Sequence, residues 1–269
     1  METHLYFDSQ HLPAPRGEFV AWCDGMGTGQ YLARSLHQAA NSVFKLHSAF
    51  SIARSSLSVV RCYPVMDGIY VTSPTREDMQ KVLKSAFCEL AREFINKPGV
   101  KNMHMMRAGL AFGPTLHGAD IKDEAFYGTY GGYTTTHEMF ENSSLDDVRH
   151  HVLLSPAMVV AYEAERHAPP FGVYVDDSAK TYPQLVENSG GGFRSSLYQW
   201  WGSDEAARQI AAKLYEQIVF YLNTSETHSV GLQYPREIIE RHRVLAKEYF
   251  GGLDQYENLP QQAVTHDGI

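Results

Sequence analysis

The chain has 269 residues, 43% of them hydrophobic, enough to bury one substantial core with appended structure. Its formal net charge of −8 excludes a basic field of the kind that holds nucleic acid or anionic lipid, so a phosphate-bearing ligand needs local neutralisation by metal ions or a few arginines. The N-terminus is polar and acidic, no window approaches the run of about eighteen apolar residues that spans a membrane, and Cys23, Cys62 and Cys88 lack metal-ligand spacing, so a protein of the reducing cytoplasm is expected, with neither nucleic acid nor membrane as partner.

In chain order, the apolar run 19–23 ends at Asp24 and enters a turn holding Gly25, Gly27 and Gly29, which predicts a buried strand leading into a glycine loop. Leu32, Leu36, Ala39, Val43, Leu46 and Phe50 then recur at intervals of four and three, which predicts one helix with a single apolar face. Two strand-like runs, 57–63 and 67–72, are separated by Pro64-Val65-Met66, a hairpin-length connection with Asp67 at or near its tip. Ser73-Pro74 reads as a helix start, Met79, Val82, Leu83, Phe87, Leu90 and Phe94 supply a helical face, and Pro98-Gly99 stops it. A fourth strand is predicted over 103–112.

The resulting order, strand-helix-strand-strand-helix-strand, is the ferredoxin-like βαββαβ arrangement of an α+β protein, with helices on one face of an antiparallel sheet. Beyond it, helices are expected over 155–166, 204–222 and 234–250, with a Gly-rich, Trp-containing loop over 189–201. A catalytic domain over 15–180 and a helical extension over 181–269 packed on it are the expected divisions.

Asp24 and Asp67 each bound a strand of this sheet beside a flexible turn. Two carboxylates on neighbouring strands suit a pair of divalent cations, and their oxygen chemistry suits Mg²⁺ or Mn²⁺. Asp-Gly is also a common turn pair, and spacing alone leaves a turn or cap function open for both residues. The run Gly25-Met26-Gly27-Thr28-Gly29 offers unhindered N–H groups ahead of a helix, where a triphosphate can be cradled. Thirteen histidines lack a metal-ligand pattern, Ser195 and Ser196 lack a nucleophile-elbow context, and Gly191-Gly192-Phe193 reads as a loop. Tyr198, Trp200 and Trp201 read as packing anchors for the extension.

These motifs resemble those of the class III adenylate and guanylate cyclases. The family's Asp-x-x-Gly-Phe-Thr turn corresponds to Asp24-Gly25-Met26-Gly27-Thr28-Gly29, and its Lys-x-x-Gly-Asp hairpin to Tyr63-Pro64-Val65-Met66-Asp67. Its following strand, Arg-x-Gly-Ile-x-x-Gly, corresponds to Arg107-Ala108-Gly109-Leu110-Ala111-Phe112-Gly113. The resemblance covers roughly residues 19–118. It implies two metal ions, Mg²⁺ or Mn²⁺, on Asp24, Asp67 and the Gly25 carbonyl, phosphate oxygens on the N–H groups of Gly27 and Thr28 and on Arg107, and catalysis by Asp24, Asp67 and Arg107. It also implies a head-to-tail homodimer with shared active sites, in which Tyr63 serves one site and Asp67 the other.

Two departures narrow this expectation. The base-reading lysine of the family is here Tyr63, and the later Gly-x-x-x-Asn-x-x-x-Arg helix has no clean counterpart, since Gly132 leads to Thr136 and Phe140: either another residue such as Arg194 substitutes, or the dimer contributes differently, or the chain is catalytically weak. In its length, in Tyr63 and in the segment Leu153-Leu154-Ser155-Pro156-Ala157 followed by Ala161-Tyr162-Glu163-Ala164-Glu165, the chain resembles the Pycsar pyrimidine cyclases of bacterial antiphage defence. That resemblance implies UTP, with CTP second, as the substrate bound through Gly27, Thr28, Tyr63 and Arg107, and a cyclic nucleotide product read by a separate effector. The competing expectation is a cyclase-fold module that binds a nucleotide or a partner without turnover.

Overall fold

The computed structural model describes residues 12–96, 103–121, 129–130, 133–134, 149–228, 234–251 and 253. Its centre is β1 (Arg16–Gly25), flanked by antiparallel β3 (Gly68–Ser73) and β4 (Met106–His117), with β2 (Arg61–Val65) outside β3. The sheet runs β2-β3-β1-β4, the strand order of a βαββαβ fold, and continues from β4 into parallel β8 (Val173–Val175) and then β9 (Leu197–Tyr198). A short β7 (Leu153–Leu154) pairs with the far end of β4, and β5 (Thr129–Tyr130) and β6 (Tyr133–Thr134) form a separate ribbon. The α+β class and the antiparallel core are therefore as predicted.

Alternation along β1 assigns its two faces. Phe19, Ala21 and Cys23 join the core beneath α2 (Leu36–Arg54) and α3 (Arg76–Asn96), whereas Val20 and Trp22 pack under α4 (Pro156–Glu165) with Tyr63, Tyr70, Ala157 and Ala161. Because both faces are covered, the middle of β1 and all of β3 are buried, which is why these strands read as unbroken apolar runs. The sheet thus carries helices on both faces and not on one.

The long helix expected after the glycine turn is two helices, α1 (Thr28–Arg34) and α2, broken at Ser35. Ser35 takes an extended conformation and its hydroxyl accepts from the Gln38 N–H, so a side-chain cap interrupts the apolar periodicity. The buried face is kept from Ala39 through Leu46 to Phe50, while Leu32 and Leu36 are exposed. At α3 the cap is Thr75 and not Ser73: Thr75 Oγ1 accepts from the Asp78 N–H and donates to the Asp78 carboxylate. The 57–63 run contributes only its end, as β2.

After β8 the chain forms α5 (Asp177–Thr181), α6 (Glu205–His228) and α7 (Arg236–Phe250); α6 and α7, the helices of the expected 181–269 segment, share the α3-side core. Trp200 donates from Nε1 to the Phe171 carbonyl at 2.9 Å, and Trp201 stacks on Phe250, with ring centroids 5.2 Å apart. Among the described residues no helix is long and apolar enough to cross a membrane.

Candidate active site

Asp24 is the penultimate residue of β1, paired with Gly68 on one side and Arg107 on the other. Antiparallel register therefore sets Asp24 and Arg107 side by side on the α4 face, with the β2–β3 turn next to them. That turn has two residues, Met66 and Asp67. Met66 takes φ 52° at the first position, where glycine is usual, and is 86% exposed. Asp67 follows, half-buried, immediately before Gly68.

Burial, then the negative charges of Asp67 and Glu165, push the Asp24 carboxyl up to about 7, while Arg107 and a hydrogen bond from the Gly25 backbone pull the other way. An acid so destabilised by its neighbours is one that a cation would relieve, and the donors around it are hard oxygens: two carboxylates and the Gly25 carbonyl. This set fits Mg²⁺ or Mn²⁺. Among the described residues no three His, Cys, Asp or Glu side chains converge as a metal site.

The glycine turn leads directly into α1. Gly27 takes φ 79° at its N-cap and its carbonyl accepts from the Gln30 and Tyr31 N–H groups. Thr28 is buried and its hydroxyl donates to the Gly25 carbonyl at 3.0 Å, so only its N–H is left to meet a ligand. Beneath the turn, the Tyr31 hydroxyl donates to the Met103 carbonyl at 3.2 Å and lies 2.9 Å from the Tyr221 hydroxyl, which ties α1 to α6 of the extension.

Arg107 donates from Nε to Oε1 of Glu165, the last residue of α4. The Glu165 side chain is 5% exposed and that of Arg107 is 20% exposed. Burial raises the Glu165 carboxyl above its usual range against the pull of Arg107. From α7, His242 is buried and its Nδ1 has no hydrogen-bond partner among the described residues; burial and the charges of Arg107 and Arg241 push it down to about 4. The Tyr234 ring lies 5.8 Å from His242, and its hydroxyl senses the charges of Arg107, Asp24 and Glu165. Glu165, Tyr234 and His242 are neighbours that the sequence reading passed over. For Glu165 a signal exists: it extends the stripe Ala157, Ala161 by one further step of four, the buried side of α4.

Tyr63 lies apart from this cluster. Its cross-strand partner is Tyr70, which pairs in turn with Trp22, and its hydroxyl is 2.6 Å from Nδ1 of His117. His117 Nε2 is 2.9 Å from Glu18 Oε2, and all three side chains are buried. The Tyr63 hydroxyl, the His117 ring and the Glu18 carboxylate form one buried hydrogen-bonded chain. The single chain thus joins Asp24, Asp67, Arg107 and the glycine turn at one end of the sheet, whereas Tyr63, on the same face, is turned toward His117 and Glu18 at the other end. Arg194 is exposed beside a groove lined by Arg76, Tyr198 and Tyr249, and Gly132, Thr136 and Phe140 lie outside the described residues.

Solved structures with a similar fold are nucleotide cyclase domains. The monomeric guanylyl cyclase domain of the RhoGC fusion protein from the aquatic fungus Blastocladiella emersonii is 12% identical, with a TM-score of 0.45, covering 65% of this chain and 89% of that one. The guanylate cyclase domain of RhGC from Catenaria anguillulae, solved with GTP, is 15% identical with a TM-score of 0.43, covering 65% of this chain and 84% of that one. The guanylyl cyclase Cya2 is 8% identical with a TM-score of 0.40, covering 62% and 77%. No protein-family model and no curated protein sequence matches the chain.

Proposed function

We propose that the chain is a metal-dependent nucleotide cyclase of class III type that converts a pyrimidine triphosphate, UTP ahead of CTP, into the 3′,5′-cyclic nucleotide and pyrophosphate. The product is a second messenger of antiphage defence read by a separate effector, and the active site is completed by a second copy of the chain. The observation that carries the reading is the juxtaposition of Asp24, Asp67 and Arg107 at one end of the sheet, beside a glycine turn that opens a helix. A scaffold has no structural need for a buried acid set beside a second acid whose charge raises its cost of ionisation further.

In this reaction the 3′-oxygen attacks the α-phosphorus, the bond from that phosphorus to the bridging oxygen breaks, pyrophosphate leaves and the hydroxyl proton is released. Two divalent cations held by Asp24, Asp67 and the Gly25 carbonyl would supply activation of the hydroxyl and neutralisation of phosphate charge. The chain's own groups orient the substrate. The N–H groups of Gly27 and Thr28 take phosphate oxygens, and Arg107 balances the negative charge that grows on the leaving group.

The pyrimidine preference is supported by volume. A lysine stem can withdraw from a two-ring base, whereas the ring of Tyr63 is fixed by its contact with His117 and narrows the base pocket of the partner site.

The test is incubation of the purified protein with Mn²⁺ and each of the four triphosphates, with products identified by mass. Cyclic UMP as main product is expected; a preference for ATP or GTP removes the pyrimidine reading, and no product from any substrate removes catalysis. Asp24→Ala and Asp67→Ala are each expected to lower the rate on the order of a thousandfold while leaving the protein folded. More than a tenth of wild-type activity in either would overturn the metal assignment.

A further inference from the structure

Arg107 has two edges, and the fold uses only one. Nε donates to Glu165, and among the described residues the two terminal nitrogens have no hydrogen-bond partner. Glu165 is itself immobile: α4 lies so close to β4 that a Cβ on Gly109 would collide with the backbone of Ala161 and of Glu165. Ala161 is fully buried there, and the last turn of α4 is therefore pinned two residues along β4 from the arginine it holds.

We infer that Glu165 is the positioning residue for Arg107: by taking Nε it fixes the guanidinium plane and aims the terminal fork at the triphosphate. This rests on the cyclase reading, in which Arg107 binds phosphate. A guanidinium is a planar fork whose value to a phosphate lies in two parallel N–H bonds, and these need the plane to be set in advance. A long side chain left to rotate about four bonds would have to be ordered on binding. The carboxylate at Nε supplies that order within the free protein, as a buried partner does for a metal-ligating histidine. The negative charge of Glu165 also offsets part of the arginine's positive charge, so what Glu165 adds is direction more than attraction.

The experiment is a double-mutant cycle read by binding, on the full chain with Mn²⁺ and the 3′-deoxy forms of all four triphosphates, which bind but cannot cyclise. Glu165→Asp withdraws the carboxylate by one methylene while keeping its charge, and is expected to weaken binding roughly tenfold, within the range seen for such supporting residues. Glu165→Gln keeps an acceptor at the same reach and is expected to bind within about threefold of wild type, a rescue that charge alone would not give. In an Arg107→Ala background the Glu165→Asp substitution is expected to have no further effect. Melting temperatures confirm that each variant is folded.

If Glu165→Asp weakens binding equally with and without Arg107, or if Glu165→Gln loses as much as Glu165→Asp, the positioning assignment falls while the cyclase reading stands. If the wild type binds none of the four, or Arg107→Ala binds as tightly as wild type, the phosphate reading of Arg107 falls and this inference with it.

Discussion

Asp24 carries the clearest conflict between stability and function at the scale of one residue. Its carboxyl is pushed up to about 7 by burial and by Asp67 and Glu165, whereas an aspartate in an unfolded chain titrates near pH ~4. A folded value above the unfolded one means that the stabilising contribution is present below about pH 4 and is lost as pH rises through 7. Asp24→Asn imitates the protonated acid, so the metal-free variant is expected to be more stable than wild type at pH 8 by roughly 3–4 kcal/mol, with the gain shrinking toward pH 4. Denaturant unfolding at the two pH values measures it, and equal stability at pH 8 would show that the carboxylate is already compensated. His242 has the opposite sign: pushed down to about 4, it contributes stability above its unfolded value that is lost as pH falls from about 6.5 through 4. With Asp24 as the proposed metal ligand, only its ionised form can bind, so the apparent affinity for Mn²⁺ is expected to fall about tenfold per unit below pH 7, which calorimetry follows directly. A flat profile would remove Asp24 as a ligand.

At the scale of elements, the seat of α4 on β4 decides where Glu165 stands. Gly109→Ala places a methyl group against backbone that cannot withdraw, and is expected to destabilise the protein by about 2–3 kcal/mol, as overpacking does, and to displace Glu165 from Arg107. A thermal melt within a degree of wild type would show that α4 rides over the substitution. The same elements show what a sequence discloses. Runs 19–23 and 67–72 are legible as strands because both faces of β1 and β3 are buried, and α3 is legible because its apolar face is continuous from Met79 to Phe94. The break at Ser35 is not, since a capping hydroxyl competes with a periodic pattern that continues past it. Nor are β8 and β9, of three and two residues, which form only because β4 and then β8 offer an edge. Asp24 and Asp67 stand out by type and by their turns, but only pairing of β1 with β3 brings them together, and Glu165 resembles any helix-surface acid until α4 is docked.

At the scale of the whole molecule, the C-terminal helices α6 and α7 are continuous with the sheet core. Trp200, Trp201, Tyr221 and Phe250 belong to the same core as β1 and α3, and Tyr221 supports the first helix after the glycine turn. What one chain does not do is bring Tyr63 to Asp24: the residue proposed to meet the base faces His117, on the α4 side of the sheet. On that side α4 leaves Val159 61% exposed and Tyr162 44% exposed. If each site draws Asp67 from one protomer and Tyr63 from its partner, a mixture of Tyr63→Ala and Asp67→Ala chains forms heterodimers with one doubly damaged site and one intact site. Loss of the buried Tyr63 ring is expected to cost about 3–5 kcal/mol, so both variants are first verified as folded dimers. Each variant alone is expected to be inactive, and random pairing makes half of the mixed dimers heterodimers with one working site of two, so about a quarter of wild-type activity should return. Subunit exchange is followed separately with two affinity tags. Exchange without any recovery of activity would mean that Tyr63 and Asp67 serve the same site, and the head-to-tail arrangement would be wrong.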